Sequence, residues 1–203
     1  MSHVALVGAS GNAGSRILKE LSDRGHQITA IARHPDRIAA LPDVTAVQGD
    51  ANDRAALAAL LKGHDAVISA VHFTASDAAT LVGAVRDAGV SRYLVVGGAG
   101  SLEVAPGEKV IDQPDFPEAY KPEASAGGVF LDYLRGVDDL EWTFLSPSAE
   151  FVPGERTGRF RLGKDELLTH AEGSSISFED YAIALVDELE QPAHVRQRFT
   201  VGY

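Results

Sequence analysis

The segment Val4–Ile17, which reads VALVGASGNAGSRI, decides the fold. Val4–Val7 is a continuous apolar run, as expected of a strand buried on both faces of a parallel sheet. Three glycines follow this strand at a spacing of three residues and lead into a predicted helix. In such a turn Gly8 permits the sharp bend, Gly11 lets the backbone approach a pyrophosphate, and Gly14 allows the helix to pack on the sheet.

The start of the predicted helix strengthens this interpretation. It offers unpaired backbone N–H groups and the positive end of the helix dipole to a phosphate. Ser10, Asn12 and Ala13 lie in the same turn, and the first two could donate side-chain hydrogen bonds. No Gly-Lys-Ser/Thr follows, which excludes a Walker A loop. The alternative is a glycine-containing turn that binds no ligand, but position and spacing together favour a dinucleotide site.

Strands and helices alternate along the chain. Further strands are predicted at 27–32, 44–48, 66–70, 92–96, 141–145 and 199–201, and helices at 15–24, 35–41, 53–63, 76–88, 123–135 and 177–190. The segment 101–122 is predicted to be a long loop, and 159–162 with 166–170 to be a hairpin. The alternation predicts an α/β fold in one domain, 1–203, with a doubly wound parallel sheet and small substrate-side elements toward the C-terminus.

The end of the second predicted strand indicates the type of nucleotide. Sites specific for NAD usually carry an acidic residue there, but this chain has Arg33, with Arg37 four residues later. A guanidinium can pair with a 2′-phosphate and stack on adenine, although a solvated arginine at a helix start would look the same. The sequence therefore favours NADP(H) over NAD(H).

The ends of the later strands are expected to border the same cofactor. Asp50 can accept a hydrogen bond from the adenine amino group, with Ala51 packed on the ring. It could instead cap a helix, a role for which Asp53 competes. Small residues that leave room for the cofactor follow the next strands, and the predicted contacts are Ser69, Ala70, Val71, Gly97, Gly98, Pro147 and Ser148.

Together, the motifs GxxGxxG, ARHP (32–35), GDAND (49–53) and LSPS (145–148) resemble the atypical short-chain dehydrogenase/reductases. More closely, the chain resembles the small NAD(P)H-binding group of NmrA-like proteins, biliverdin reductase B-type flavin reductases and bacterial NADH-flavin reductases. Similar chains are also described as NAD-dependent epimerase/dehydratases. The resemblance covers nearly the whole chain and implies a Rossmann fold with a bound NAD(P)H. The segments 95–104 and 144–163 are most similar to the flavin-reductase-like subgroup.

The chain departs from that family in its acid/base group. The family pairs a tyrosine with a lysine four residues later, which lowers the tyrosine pKa for proton transfer. Ala124 occupies the lysine position after Tyr120, and the tyrosines at 133 and 181 have Val137 and Leu185 there. No catalytic residue is assigned, and the remaining candidates are Ser101, Tyr120 and Ser148.

The absence of the tyrosine–lysine pair favours a reaction whose rate depends on the alignment of the two reactants and not on an acid/base side chain. Hydride transfer to a flavin or another planar acceptor needs stacking against the nicotinamide, and water can supply the proton. His72, Phe73, Phe116 and Phe151 are expected to form the walls of that site, although the aromatic rings could simply pack the loops. One alternative is an NmrA-like protein that senses NADP(H) without catalysis. Another is an epimerase/dehydratase-type enzyme in which Tyr120 acts without a lysine.

Composition limits the partners. The chain has 29 acidic and 18 basic residues and a formal net charge of −11, which disfavours nucleic acids and anionic membranes. It has no cysteine, and its isolated histidines predict no metal site. The N-terminus lacks the basic region of a signal peptide. We therefore expect a cytoplasmic monomer or small homo-oligomer that acts on a small-molecule acceptor.

Overall fold

An eight-stranded sheet crosses the centre of the computed structural model, which describes residues 1–203. The strands are β1 (His3–Val7), β2 (Gln27–Ala32), β3 (Val44–Gln48), β4 (Ala66–Ser69), β5 (Arg92–Val96), β6 (Glu103–Ala105), β7 (Glu108–Lys109), β8 (Glu141–Ser146), β9 (Glu150–Val152), β10 (Arg161–Gly163), β11 (Ser175–Ser177) and β12 (Gln197–Gly202). The helices are α1 (Asn12–Asp23), α2 (Arg54–Leu61), α3 (Ala78–Asp87), α4 (Lys121–Arg135) and α5 (Phe178–Glu190). None of these helices is both long enough and apolar enough to span a membrane.

The order of strands in the sheet is β10-β12-β8-β5-β4-β1-β2-β3, and every neighbouring pair is parallel except β10–β12. The chain runs outward from β1 through β2 to β3, then crosses to β4 and runs outward in the other direction. Val7, at the end of β1, lies opposite Ile31 of β2 and Ser69 of β4, so these strands end at one level. Such a reversal leaves a crevice outside the carboxyl ends of the strands.

Helices cover both faces of the sheet and divide the core into two layers. On one face α1 and α5 pack together on the sheet through residues such as Leu18, Leu21 and Leu185. On the other face α2, α3 and α4 bury residues such as Leu57 and Leu131. The doubly wound α/β fold predicted from the sequence is therefore confirmed.

Three predicted elements are wrong. The segment 101–122, expected to be a loop, contains the antiparallel pair β6–β7. The helix expected at 35–41 is a single 3₁₀ turn, Pro35–Arg37, because Ile38 is extended and packs with Leu41 against the α1/α5 layer. The hairpin expected at 159–170 does not form. β10 pairs antiparallel with β12, which follows it by more than thirty residues, and 166–170 contains no strand. In this way β10 covers an edge of β12 that would otherwise expose unpaired backbone groups.

Candidate cofactor cleft and active site

A cleft of about 590 Å³ lies along the carboxyl edge of the sheet. It is lined by the residues that follow six parallel strands: Gly8 and 10–13 after β1, Arg33 after β2, 49–52 after β3, 70–73 after β4, 97–100 after β5 and 147–149 after β8. Its volume and its largely apolar lining are those of a small-molecule site. The cleft crosses the point where the strand order reverses.

The three glycines of the first turn differ in what a side chain at each position would meet. A Cβ on Gly8 would lie 2.4 Å from the Ala70 carbonyl oxygen, and Gly8 also has a φ of +86°. A Cβ on Gly14 would lie 2.0 Å from the Gly8 carbonyl oxygen, so the fold itself requires both glycines. At Gly11 the nearest protein atom would be 3.6 Å away. A side chain at Gly11 would therefore fill the cleft rather than clash with the protein, which fits a cradle for a pyrophosphate.

The N-terminus of α1 also fits a phosphate. Asp53, Asp77 and Ser177 cap α2, α3 and α5 with side-chain hydrogen bonds, whereas α1 has no such cap and no acidic residue in its first turn. Its first backbone N–H groups are left for a ligand at the cleft. Ser10, Asn12 and Ala13 line the cleft here, while Gly14 lies beneath it as a packing position.

Arg33 and Asp50 lie together at the β2/β3 end of the cleft. Asp50 Oδ1 accepts a hydrogen bond from the Asn52 backbone N–H at 2.9 Å, and Ala51 lines the same wall. Asp53, not Asp50, is the helix cap, because it accepts from the Ala56 backbone N–H at 3.1 Å. Asp50 is thus left facing the cleft, where its contact with adenine remains a prediction.

Two predicted cofactor contacts lie elsewhere. Arg37 is exposed on the 3₁₀ turn and does not line the cleft. Ser69 is buried, and its hydroxyl forms a 2.7 Å hydrogen bond with the Tyr93 hydroxyl, because the alternation of the strand directs it into the core. Ala70 and Val71, the next residues, do line the cleft, as do Gly97 and Gly98.

Tyr120 lines the cleft without a basic partner. The residue is 66% exposed. Ala124, four residues later, has only a methyl group, which packs against Gly100, where a Cβ would lie 2.8 Å from it. Lys121 Nζ is bound to Glu118 Oε1 at 2.5 Å and supplies no substitute. The tyrosine–lysine pair is therefore absent from the geometry as well as from the sequence.

The two candidate serines are occupied by structural contacts. Ser101 does not line the cleft, and its hydroxyl accepts a hydrogen bond from Arg198 Nη1 at 2.9 Å. Ser148 lines the cleft together with Pro147, but the residue is only 1% exposed. Its hydroxyl donates a hydrogen bond to the Val201 carbonyl at 2.9 Å. Neither hydroxyl is positioned as a proton donor.

Glu123 is a cleft residue that the sequence pattern did not reveal. Its carboxylate accepts from the backbone N–H groups of Phe73 and Thr74 at 2.7 and 3.0 Å, and from the Thr74 hydroxyl at 2.8 Å. Partial burial raises the pKa of Glu123, but these hydrogen bonds outweigh it and leave the pKa below its ordinary value. His72 is 85% exposed in its side chain, with Nδ1 3.5 Å from Glu123 Oε1.

The aromatic walls are partly core and partly cleft. Phe73 packs between Phe130 and Phe144, with ring centroids 5.2 and 6.0 Å apart, and reaches the cleft with one edge. Phe151 lies 4.5 Å from the ring of Phe178, a second cleft residue that the sequence did not identify. Phe116 enters from the segment between β7 and α4. These aromatic rings therefore line the cleft, as expected, and Phe73 and Phe151 also pack against other rings of the protein.

Sequence patterns could not find Glu123 and Phe178 because both stand in ordinary helix-start positions. Glu123 lies in the first turn of α4, where acidic residues are common, and Phe178 follows the Ser177 cap of α5. Their contacts, with the loop after β4 and with Phe151 of β9, exist only in the folded chain. The only nearby residue that the sequence pattern singled out is Tyr120, which precedes Glu123 by three residues.

Solved structures resemble the whole chain. A "putative exported protein" from Burkholderia pseudomallei is 48% identical, with 100% of both chains covered and a TM-score of 0.90. A "putative epimerase" from Bacteroides thetaiotaomicron is 42% identical over 99% of this chain and 96% of that one, with a TM-score of 0.94. A "putative NADH-flavin reductase" from Streptococcus pneumoniae is 35% identical over 100% and 99%, with a TM-score of 0.85. Residues 8–192 match the NAD(P)H-binding family, and the chain is a member of that family.

Proposed function

We propose that the protein is an NADPH-dependent reductase that reduces a planar acceptor without a tyrosine–lysine pair. The observation that carries the proposal is the cleft itself, which joins a phosphate cradle at α1 to an aromatic-walled end where Tyr120 has no basic partner. Bound NADPH would supply the hydride. Overall, NADPH, one proton and the acceptor give NADP⁺ and the two-electron-reduced acceptor.

The residues of the chain bind and align the reactants. Gly11 and the N-terminus of α1 would hold the pyrophosphate, and Arg33 would pair with the 2′-phosphate. A Cβ at Gly98 would meet only Phe73, at 3.8 Å, so this glycine would leave the nicotinamide end open, and the rings of Phe116 and Phe151 are available for stacking. Alignment of this kind supplies much of the rate in a hydride transfer, with water as the proton source.

NADPH oxidation with FMN, FAD, riboflavin and quinones tests the proposal. We expect turnover above background with at least one acceptor. The Tyr120→Phe variant should retain the rate within about threefold, since a tyrosine acid normally contributes at least about 100-fold. No turnover with any acceptor would overturn the proposal, and tight NADP⁺ binding in that case would favour the sensor. A large loss in Tyr120→Phe would favour tyrosine-dependent chemistry of the epimerase type.

We also propose that the protein works in the cytoplasm. The proposed reaction consumes NADPH, which has to be regenerated by metabolism. The absence of cysteine agrees with this compartment, since the fold needs no disulfide. Fractionation of cells that produce the full chain tests the location, and recovery outside the cytoplasm would contradict it.

A further inference from the structure

Positive charge is confined to one end of the cleft. Arg33 is the only lysine or arginine among the residues that line it, and it stands after β2. In a doubly wound sheet of this order, the adenosine half of a dinucleotide lies on that side of the switch point and the nicotinamide half on the side of β5 and β8. The single arginine thus belongs to the cofactor's own phosphates.

Basic side chains that border the other end are already paired with acids. Arg16, which lies 5.3 Å from the Phe178 ring, is bound to Glu179 at 3.1 Å. Arg156 follows β9 and is bound to Glu20 at 2.9 Å. The lysine after Tyr120 is bound to Glu118 at 2.5 Å. None of the three is available to a ligand phosphate unless an ion pair breaks.

A fixed negative charge stands at that end instead. Glu123 lines the cleft, and three hydrogen bonds from Phe73 and Thr74 hold its carboxylate in place. A phosphate dianion beside it would be repelled, and more strongly where the walls exclude water. The net charge of −11 adds to this repulsion.

The remaining surface of this end suits an uncharged ring. Phe116, Phe151, Phe178 and Pro147 line it, and the Ser148 hydroxyl between them is already bonded to the Val201 carbonyl. Aromatic side chains bind flat rings through stacking and edge contacts. The β2/β3 end of the cleft therefore carries Arg33 beside Asp50, whereas the acceptor end carries the Glu123 carboxylate and no lysine or arginine.

We propose that the acceptor is a planar ring that carries no phosphate, namely a quinone or a flavin that lacks the phosphate of FMN and FAD. This inference rests on the proposed reductase function and narrows its substrate. The ring receives a hydride from NADPH and a proton from water, and NADP⁺ is released.

Riboflavin and FMN form a matched pair of probes, because they share the ring and differ only in the phosphate. Flavin fluorescence, titrated with the protein in the presence of NADP⁺ at low salt, gives a Kd for each without any turnover. We expect riboflavin to bind at least about fivefold more tightly than FMN, which corresponds to about 1 kcal/mol. The same order should appear in kcat/KM with NADPH, and a quinone such as menadione shows which of the two ring classes is reduced faster.

A charge added to the acceptor end provides the second measurement. Ala149 is exposed and lines the cleft, so Ala149→Lys places a cation there without the loss of a contact, and Ala149→Gln is its uncharged match. Ala149→Lys should shift the FMN-to-riboflavin ratio of Kd at least about threefold toward FMN at low salt, with less effect at 0.5 M salt. Ala149→Gln should leave the ratio at its wild-type value.

The outcomes separate this inference from the proposed function. If the wild type reduces acceptors but binds FMN as tightly as riboflavin or more tightly, or if Ala149→Lys leaves the ratio unchanged, the inference is overturned and the reductase stands. If no acceptor is reduced at all, both are overturned.

Discussion

The Glu123 carboxylate accepts a hydrogen bond at 2.7 Å from the backbone N–H of Phe73 and thereby joins the start of α4 to the loop after β4. Asn52 holds the other end of this loop through a 3.0 Å hydrogen bond to the Ala75 carbonyl. The loop follows β4, which lies between β5 and β1 in the sheet, so it borders the cleft on the β5/β8 side of the switch point. Two side chains from distant parts of the chain therefore shape the cleft before any ligand binds.

The first prediction concerns this contact. Glu123→Gln removes the charge from an acceptor of three hydrogen bonds, each of which is stronger to a charged group. We expect a loss of about 1–2 kcal/mol in the free energy of unfolding and a higher Kd for NADPH. Urea denaturation and a cofactor titration measure the two effects.

Glu118→Gln is the matched control for that variant. Glu118 stands five residues earlier, and its side chain is 83% exposed in a pair with Lys121. It should change the unfolding free energy by less than about 0.5 kcal/mol. Equal losses in both variants would contradict the role given to Glu123.

A second prediction concerns acid stability. Glu20 is 4% exposed and bound by Arg156 and Arg24. Burial raises the pKa of Glu20, but the hydrogen bonds from the two guanidinium groups outweigh it, so the pKa lies below its ordinary value of 4.5. Its ionised form thus stabilises the fold fully above pH 4.5, and this contribution is lost as the pH falls through the lowered pKa.

Glu20→Gln should therefore lower the free energy of unfolding at pH 7 by about 2–3 kcal/mol and flatten its decrease below pH 4.5. Urea denaturation at pH 7 and pH 4 measures both effects. Asp23→Asn, which breaks the exposed pair with Lys19 on the same helix, is the control and should cost less than about 0.5 kcal/mol. An unchanged acid slope in Glu20→Gln would refute the assignment.

A third prediction compares two helical glycines. A Cβ at Gly14 would meet the Gly8 carbonyl oxygen at 2.0 Å, whereas a Cβ at Gly128 in α4 would meet nothing within 4 Å. Gly14→Ala should destabilise the protein by at least about 3 kcal/mol and weaken NADPH binding, because α1 must move from the turn. Gly128→Ala should be neutral or stabilise by up to about 1 kcal/mol. Thermal unfolding with and without NADPH distinguishes the two variants. Similar melting temperatures would show that the close packing of Gly14 on the Gly8 carbonyl does not hold α1 in place.

A fourth prediction concerns cofactor preference. Arg33 lines the cleft at its β2/β3 end, whereas Arg37 does not line it. Arg33→Ala should raise the Kd for NADPH about 10- to 100-fold, as expected for lost hydrogen bonds to a charged phosphate, and leave the Kd for NADH nearly unchanged. Arg37→Ala should have a smaller effect on both. Binding titrations with the two cofactors measure the effect, and an NADPH preference that survives in Arg33→Ala would disprove the 2′-phosphate assignment.

The local signals of the sequence were sufficient for most of the fold. The apolar strands and the Gly8-to-Gly14 turn predicted the parallel sheet, and Asp53 and Ser177 predicted two helix starts that the structure shows. These features depend on neighbouring residues, whose preferences for strand, turn and cap operate over a few positions. Pairing across the chain is different. β10 pairs with β12 and satisfies the backbone hydrogen-bonding groups at the edge of that strand, and no pattern within 159–170 predicts this pairing.

By itself, the sequence determined the cofactor class and the absence of the dyad, because the glycine spacing and the residue four positions after Tyr120 can both be counted along the chain. Only the tertiary structure decided which side chains face the cleft. It turned the Ser69 hydroxyl toward Tyr93, bound Ser101 to Arg198, and brought Glu123 to the loop after β4. Those contacts join residues 24, 97 and about 50 positions apart, and they arise from packing and hydrogen-bond satisfaction in the folded chain.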